Sequence, residues 1–119
     1  MLVIKNANVI FTDKIRKATV LCDNGKIVDI VERYSENNND TVIDVNGDYL
    51  SPGFIDIHVH GGMGVHFATD PDFFPALRFC AREGVTTVLP TLATRPIGDM
   101  LRSIATVLSE AERACGARI

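Results

Sequence analysis

Several broad classes are excluded by what this chain lacks. It carries 12 lysines and arginines against 15 aspartates and glutamates, with no basic block, which leaves no charge-driven surface for nucleic acid. No apolar run approaches the ~20 residues of a membrane span. Residues 1–11 lack a basic segment followed by a long apolar stretch, so they do not read as a signal peptide. Cysteine is scarce. Cys22, Cys80 and Cys115 are odd in number, widely spaced, and fit neither a zinc spacing nor a disulfide framework. They read as buried free thiols of a reducing cytoplasm. No internal repeat is present, and the low-complexity content ends with Asn37-Asn38-Asn39. At 119 residues and 46% hydrophobic content, the chain suffices for one modest globular domain and not for two large ones.

What is present changes character near residue 51. Before it, residues 2–4, 8–11, 18–22, 27–31 and 41–45 read as short strands. Asp23-Asn24-Gly25-Lys26 is a strong hairpin turn, because Asn and Gly tolerate positive φ. Residues 35–40 are polar and aperiodic, which marks a surface loop. After Ser51-Pro52-Gly53, residues 54–60 form a strand that is apolar on both faces except for Asp56 and its histidines, the pattern of a strand buried on both sides. Thr69 or Asp70 is placed to cap a helix with Pro71 in its first turn, and Phe73, Leu77 and Cys80 or Ala81 recur at helical spacing. Gly84 stops that helix, and residues 85–90 make a second apolar strand. A longer helix over 97–115 carries a stripe of Met100, Leu101, Ile104, Val107, Leu108 and Ala111, and Gly116 ends it. Residues 117–119 look like the entry to a third strand. Strand–helix–strand–helix is the unit of a parallel α/β fold, and an eight-fold barrel takes roughly 250 residues. The chain therefore reads as the first third of a larger protein.

The chemistry concentrates in Pro52-Gly53-Phe54-Ile55-Asp56-Ile57-His58-Val59-His60-Gly61-Gly62. Alternate residues of a strand share a face, so His58 and His60 project together at roughly 6.5–7 Å along the backbone. Two imidazoles across that gap are able to bind one ion through nitrogens at about 2.0–2.1 Å. Histidines on the polar face of a strand, with ordinary hydrogen-bond partners, are the alternative. Asp56 lies on the same face. It serves either an imidazole N–H or the backbone amides at the strand's start, and the second, structural role is the preferred reading. Glycines after the strand leave room above the pair.

The runs "DNGKIVDI", "SPGFIDIHVHGG" and "EGVTTVLPT" resemble the start of the amidohydrolase superfamily, and the resemblance runs from about Val3 to Ile119. Within it, "HGGMGVHFATD" and "GVTTVLPTLAT" resemble the N-acetylglucosamine-6-phosphate deacetylase family. The resemblance implies an α/β fold, a (β/α)8 barrel opening at residues 50–119, preceded by the N-terminal part of a small β-sandwich at 1–49. His58 and His60 match the first-strand metal pair. Some deacetylases replace that pair with amides and keep one metal, so its presence here implies one or two divalent ions, zinc by expectation. The implied reaction is hydrolysis of N-acetylglucosamine 6-phosphate to glucosamine 6-phosphate and acetate in the cytoplasm, by a homo-oligomer (a dimer) with no nucleic-acid or membrane partner. The family's glutamate ligand, later histidines, acid/base aspartate and sugar-phosphate contacts are expected beyond Ile119. No catalytic residue is therefore assigned within this chain, and the isolated 119 residues are expected to be inactive, with Phe54, Ile55, Val88 and Leu89 left uncovered.

The other signals read plainly. His66 is a surface or capping histidine, with substrate contact as the alternative. Gly61-Gly62-Met63-Gly64 lacks the Lys-Ser/Thr ending and the G-x-G-x-x-G spacing of a nucleotide loop. Arg95 reads as a solvated loop arginine, Glu110, Glu112 and Arg113 as a solvated helix face, and Phe73 and Phe74 as core. Two further readings stand beside the deacetylase. One is another amidohydrolase (dihydroorotase-, hydantoinase- or aminoacylase-like), and the other a non-catalytic remnant or interaction module.

Overall fold

In the computed structural model, which describes residues 1–113 and 116–119, the two runs at 2–4 and 8–11 are one bulged strand, β1 (Leu2–Ile10). The register with its antiparallel partner shifts between Ile4 and Ala7, and Asn6 adopts φ 58°. That single irregular residue reverses the alternation of faces. Ile4 before it, and Ala7 and Val9 after it, consequently share one cluster with Ala18 and Val20. Asn6 is held there by its side-chain amide, which donates to both carboxylate oxygens of Asp44 at 2.9 and 2.8 Å.

β1 lies inside a sheet with β2 (Ile15–Asp23), β3 (Lys26–Val31), β4 (Thr41–Asp44) and β5 (Tyr49–Leu50), in the order β3-β2-β1-β4 with β5 also on β1. β2 pairs antiparallel with β1 and β3, while β4 and β5 run parallel to β1. The expected hairpin joins β2 to β3, with Asn24 and Gly25 both at positive φ. The loop over residues 32–40 is fastened at its end by Asp40. Its carboxylate accepts from the Asn37 amide at 2.8 Å and the Tyr34 hydroxyl at 3.0 Å, and lies 3.6 Å from the Met1 ammonium.

The chain divides into two compact units, Met1–Pro52 and Gly53–Ile119. The second holds β6 (Phe54–Val59), β7 (Gly61–Gly62), β8 (Val65–His66), α1 (Phe74–Arg82), β9 (Val85–Pro90) and α2 (Ile97–Arg113). β6 and β9 pair in parallel, and Arg118 adds a parallel bridge to Thr87, with the Arg118 amide donating to Thr86 O at 2.8 Å. The third-strand entry expected at 117–119 is therefore already docked on β9. This is a strand-rich mixed α/β structure, and among the described residues no barrel is formed. The end of the long helix at Cys115, and the thiol reading of that residue, lie outside the described residues. Cys22 and Cys80 are free and half-buried.

The helix over 70–82 starts later than expected. Asp70 is already engaged, accepting from the His66 amide at 2.7 Å, and Asp72 accepts from the Phe74 amide at 3.0 Å, so α1 begins at Phe74 with Pro75 in its first turn. Phe67, Phe73, Ala76, Leu77, Val88 and Ala117 form the core of this unit, with Phe67 and Phe73 edge to face at 4.8 Å. Val88, expected to be uncovered, is fully buried in that core, whereas Phe54, Ile55 and Leu89 are exposed. Ile57 is 73% exposed, so β6 is not buried on both faces here. Its only strand partner among the described residues is β9.

α2 also turns a different face inward than the stripe suggested. Ser103 and Glu110 are its buried residues, Met100 and Val107 are half-buried, and Leu101, Ile104 and Leu108 face solvent. Glu110 corrects the reading of a solvated helix face: it is 5% exposed and accepts from the Phe73 amide at 3.3 Å, while pairing with Arg113. Phe73 precedes α1 without a side-chain cap from its own segment, so a carboxylate on α2 satisfies that donor beside the positive end of α1. Burial of Phe67, Phe73 and Leu77 contributes roughly 1.5–3 kcal/mol each, against about 1 kcal/mol for such a bond. Apolar packing holds the layer together, and Glu110 sets where α2 sits along it.

Two stability effects follow from these contacts. Asp40 and Asp44 are held below the ordinary 3.8, chiefly by the backbone amides of Asn37 and Asn46 respectively. Each therefore stabilises the fold above 3.8 and loses that contribution as pH falls through its lowered value. In denaturant titrations, Asp44→Asn will lower the midpoint at neutral pH, and its difference from the parent will vanish in strong acid. Glu110→Ala will cost about 1–3 kcal/mol by leaving the Phe73 donor buried without a partner, and Glu110→Gln distinctly less.

Candidate metal centre

The histidines sit where β6 gives way to a tight loop. The rings of His58 and His60 are neighbours, centroids 5.3 Å apart and nearly perpendicular at 77°, and both are exposed. Asp56 accepts from the His58 amide at 3.0 Å, the structural role preferred from the sequence. His60 is positioned from the other strand: its Nδ1 lies 2.8 Å from the carbonyl oxygen of Thr91, just past the end of β9. A carbonyl only accepts, so Nδ1 carries the hydrogen and Nε2 keeps its lone pair. The Thr91 amide in turn donates to Val59 O at 2.7 Å, extending the parallel pairing past the end of β9.

The glycines build a hairpin. Gly61 pairs with His66 and Gly62 with Val65, and the turn residues Met63 and Gly64 have φ 53° and 79°. Gly61 has φ 146°, and a Cβ there would stand 2.0 Å from the carbonyl oxygen of Val65, so no side chain fits. The hairpin returns His66 to the strand end, its ring centroid 6.2 Å from that of His60. His66 is exposed and closes a turn, with no helix starting there: Nδ1 accepts from the Ala68 amide at 3.1 Å, and its carbonyl accepts from the amides of Thr69 and Asp70, both at 3.0 Å.

Arg95 departs from the solvated-loop reading. It is half-buried, donates from Nη1 to Ala68 O at 3.0 Å, and lies 3.9 Å from Asp99. Ser103 donates to the same carbonyl at 2.7 Å and to Asp99 O at 3.0 Å. Together they pin the loop after His66 to the start of α2. No spacing in the sequence announces these bonds, which span 27 and 35 residues. A cavity of about 280 Å³ opens beside them, but its two arginines, Arg95 and Arg102, are balanced by two aspartates, Asp70 and Asp99, which leaves no net positive charge for an anion. Burial, and then the charge of Asp56, pushes the Cys80 thiol up, away from a reactive thiolate.

As a donor set, two exposed imidazoles, one with its tautomer fixed for ligation, suit a borderline divalent ion such as zinc. Among the described residues, no group of three or more His, Cys, Asp or Glu side chains converges to hold one. His58 and His60 thus fit part of a coordination sphere.

If Gly61 is needed by the hairpin, Gly61→Ala will release it. The Phe67 amide, which donates to His60 O at 2.9 Å, will then exchange with solvent at least ~5-fold faster, the effect of roughly 1–3 kcal/mol of backbone strain. Unchanged exchange would show that the loop does not depend on that glycine.

No protein-family model matches the chain. Over 100 residues, 83% of its length, it is 34% identical to the dihydroorotase of Staphylococcus aureus (strain N315), of which this segment is 23%. It superposes on the N-acetylglucosamine-6-phosphate deacetylase of Pasteurella multocida with a TM-score of 0.83 at 24% identity, covering 95% of this chain and 31% of that one, a likeness of fold. It superposes on a D-hydantoinase (dihydropyrimidinase) from Thermus sp. with a TM-score of 0.71 at 27% identity, covering 93% and 24%. The chain spans about a quarter of the length of the curated relatives it matches.

Proposed function

We propose that this chain is the N-terminal part of a metal-dependent amidohydrolase, with His58 and His60 as the first two ligands. Its relatives and structural neighbours support the superfamily. The observation that carries the metal reading is the bond from His60 Nδ1 to Thr91 O, which prepares Nε2 for an ion. When bound, such an ion supplies Lewis acidity toward an amide carbonyl and toward water. This chain's contribution is positional. Asp56 braces the His58 backbone, Thr91 orients the His60 ring, and the hairpin of Gly61–Gly62 and Val65–His66 brings the His66 ring within 6.2 Å of that of His60. The remaining ligands and the acid/base group come from outside the described residues. The free thiols of Cys22 and Cys80 support a cytoplasmic setting in this reading, and the resemblance to the deacetylase family extends the proposal to a homodimer.

The preferred substrate is N-acetylglucosamine 6-phosphate, cleaved to glucosamine 6-phosphate and acetate. The "HGGMGVHF" and "PTLAT" runs support this, as does the overlap in fold with the Pasteurella deacetylase. A second reading, ring opening of a cyclic amide, draws on the 34% identity to a dihydroorotase. The test is to assay the full gene product, loaded with zinc, on both substrates. Acetate release that disappears in His58→Ala and His60→Ala is the expected result. Ring opening of dihydroorotate without acetate release would transfer the assignment to the second reading, and activity that survives both substitutions would remove the metal role of the pair.

A further inference from the structure

We infer that His66 is a ligand-contacting residue of this site, a hydrogen-bond donor through Nε2–H to an oxygen of the bound amide or of its carboxylate product, and not a third metal ligand. The inference rests on the reading of His58 and His60 as an ion-holding pair. Two backbone groups assign opposite tautomers to adjacent rings. Thr91 presents a carbonyl to His60 Nδ1 at 2.8 Å, so that nitrogen bears the hydrogen. Ala68 presents an N–H to His66 Nδ1 at 3.1 Å, so that nitrogen must supply the lone pair. A neutral imidazole holds one ring hydrogen, and in His66 it is therefore on Nε2. A nitrogen bearing hydrogen has no lone pair for a metal but is a competent donor. Consistently, the three histidines do not converge as a ligand set among the described residues.

The ring is also held in advance of any ligand. The His66 amide donates to Asp70 at 2.7 Å, its carbonyl accepts from Thr69 and Asp70, and its backbone pairs with Gly61. Ala68, the residue that fixes the tautomer, is itself clamped through its carbonyl by Arg95 and Ser103. A donor fixed this way, exposed and 6.2 Å from His60 between ring centroids, is suited to an oxygen that arrives at the pair.

The test uses the full gene product. Ring-nitrogen NMR of the metal-free protein should find hydrogen on Nε2 of His66 and on Nδ1 of His60, and hydrogen on Nδ1 of His66 would overturn the inference. That protein is then loaded with Co2+, followed by its visible absorption, and titrated with acetate as the probe carboxylate. His66→Asn keeps an acceptor for the Ala68 amide but removes the outer donor, whereas the amide nitrogen of His66→Gln replaces it. Both variants should take up Co2+ as the parent does, with acetate binding weakened roughly tenfold in the first and largely restored in the second. Loss of Co2+ in His66→Asn would make His66 a ligand, and unchanged acetate binding would remove its contact; either result overturns the inference alone. A full gene product that takes up no Co2+ overturns the metal reading and this inference together.

Discussion

The parallel pairing of β6 with β9 is the constraint on which the candidate site depends. Thr91 stands at the meeting point of the two strand ends. Its amide takes the last β6 carbonyl, that of Val59, and its carbonyl takes the ring of His60. Strand pairing and histidine orientation are thus consequences of one peptide unit. Slipping the register by one residue would move the carbonyl away from the ring and turn Val59 out of the core it packs against. Val88, buried in the middle of β9, resists that slip, because its displacement would open a cavity among Phe67, Leu77 and Ala117.

The loop from Gly61 to Asp70 depends on the same frame by another route. Loops with few apolar contacts are usually the softest part of a fold. This one is fastened at several points: the hairpin pairing, the Phe67 side chain in the core, and the Ala68 carbonyl shared by Arg95 and Ser103. Those two donors come from α2 and the segment leading to it, and α2 is set in place by Glu110 under α1. The position of His66 is consequently decided by elements far from it in the chain. The helices act here as scaffolding for a backbone donor and a backbone acceptor, and these two groups set the chemistry of neighbouring rings.

Much of this was legible locally. The Asn24–Gly25 hairpin, the strand at Val85–Pro90, the structural role of Asp56 and the exposed position of His66 all follow from short-range preferences that tertiary contacts reinforce. The misreadings share a cause. Thr69, Asp70 and Pro71 form a good helix start in isolation, but the His66 amide claims the Asp70 carboxylate first. The stripe on α2 is wide enough to bury more than one way, and the contact that chose, Val107 against the core with Glu110 beneath Phe73, lies 37 residues away for that carboxylate. Arg95 and Glu110 look like solvated charges because the distant partners that bury them are backbone groups, Ala68 O and the Phe73 amide, which leave no mark in composition.

The sequence by itself determined the alternation of strands and helices after residue 53, the placing of His58 and His60 together at the end of one strand, and the glycine-bound turn that follows them. These depend on side-chain period, turn chemistry and φ preference, all properties of neighbouring residues. Only the tertiary structure decided that Asn6 would reverse the faces of β1, that Glu110 would be buried, and that His60 and His66 would be held by a carbonyl and an amide respectively. The reason is physical. A backbone donor or acceptor is the same in every residue, so which one reaches a given ring is fixed by packing across the fold and not by the letters beside it.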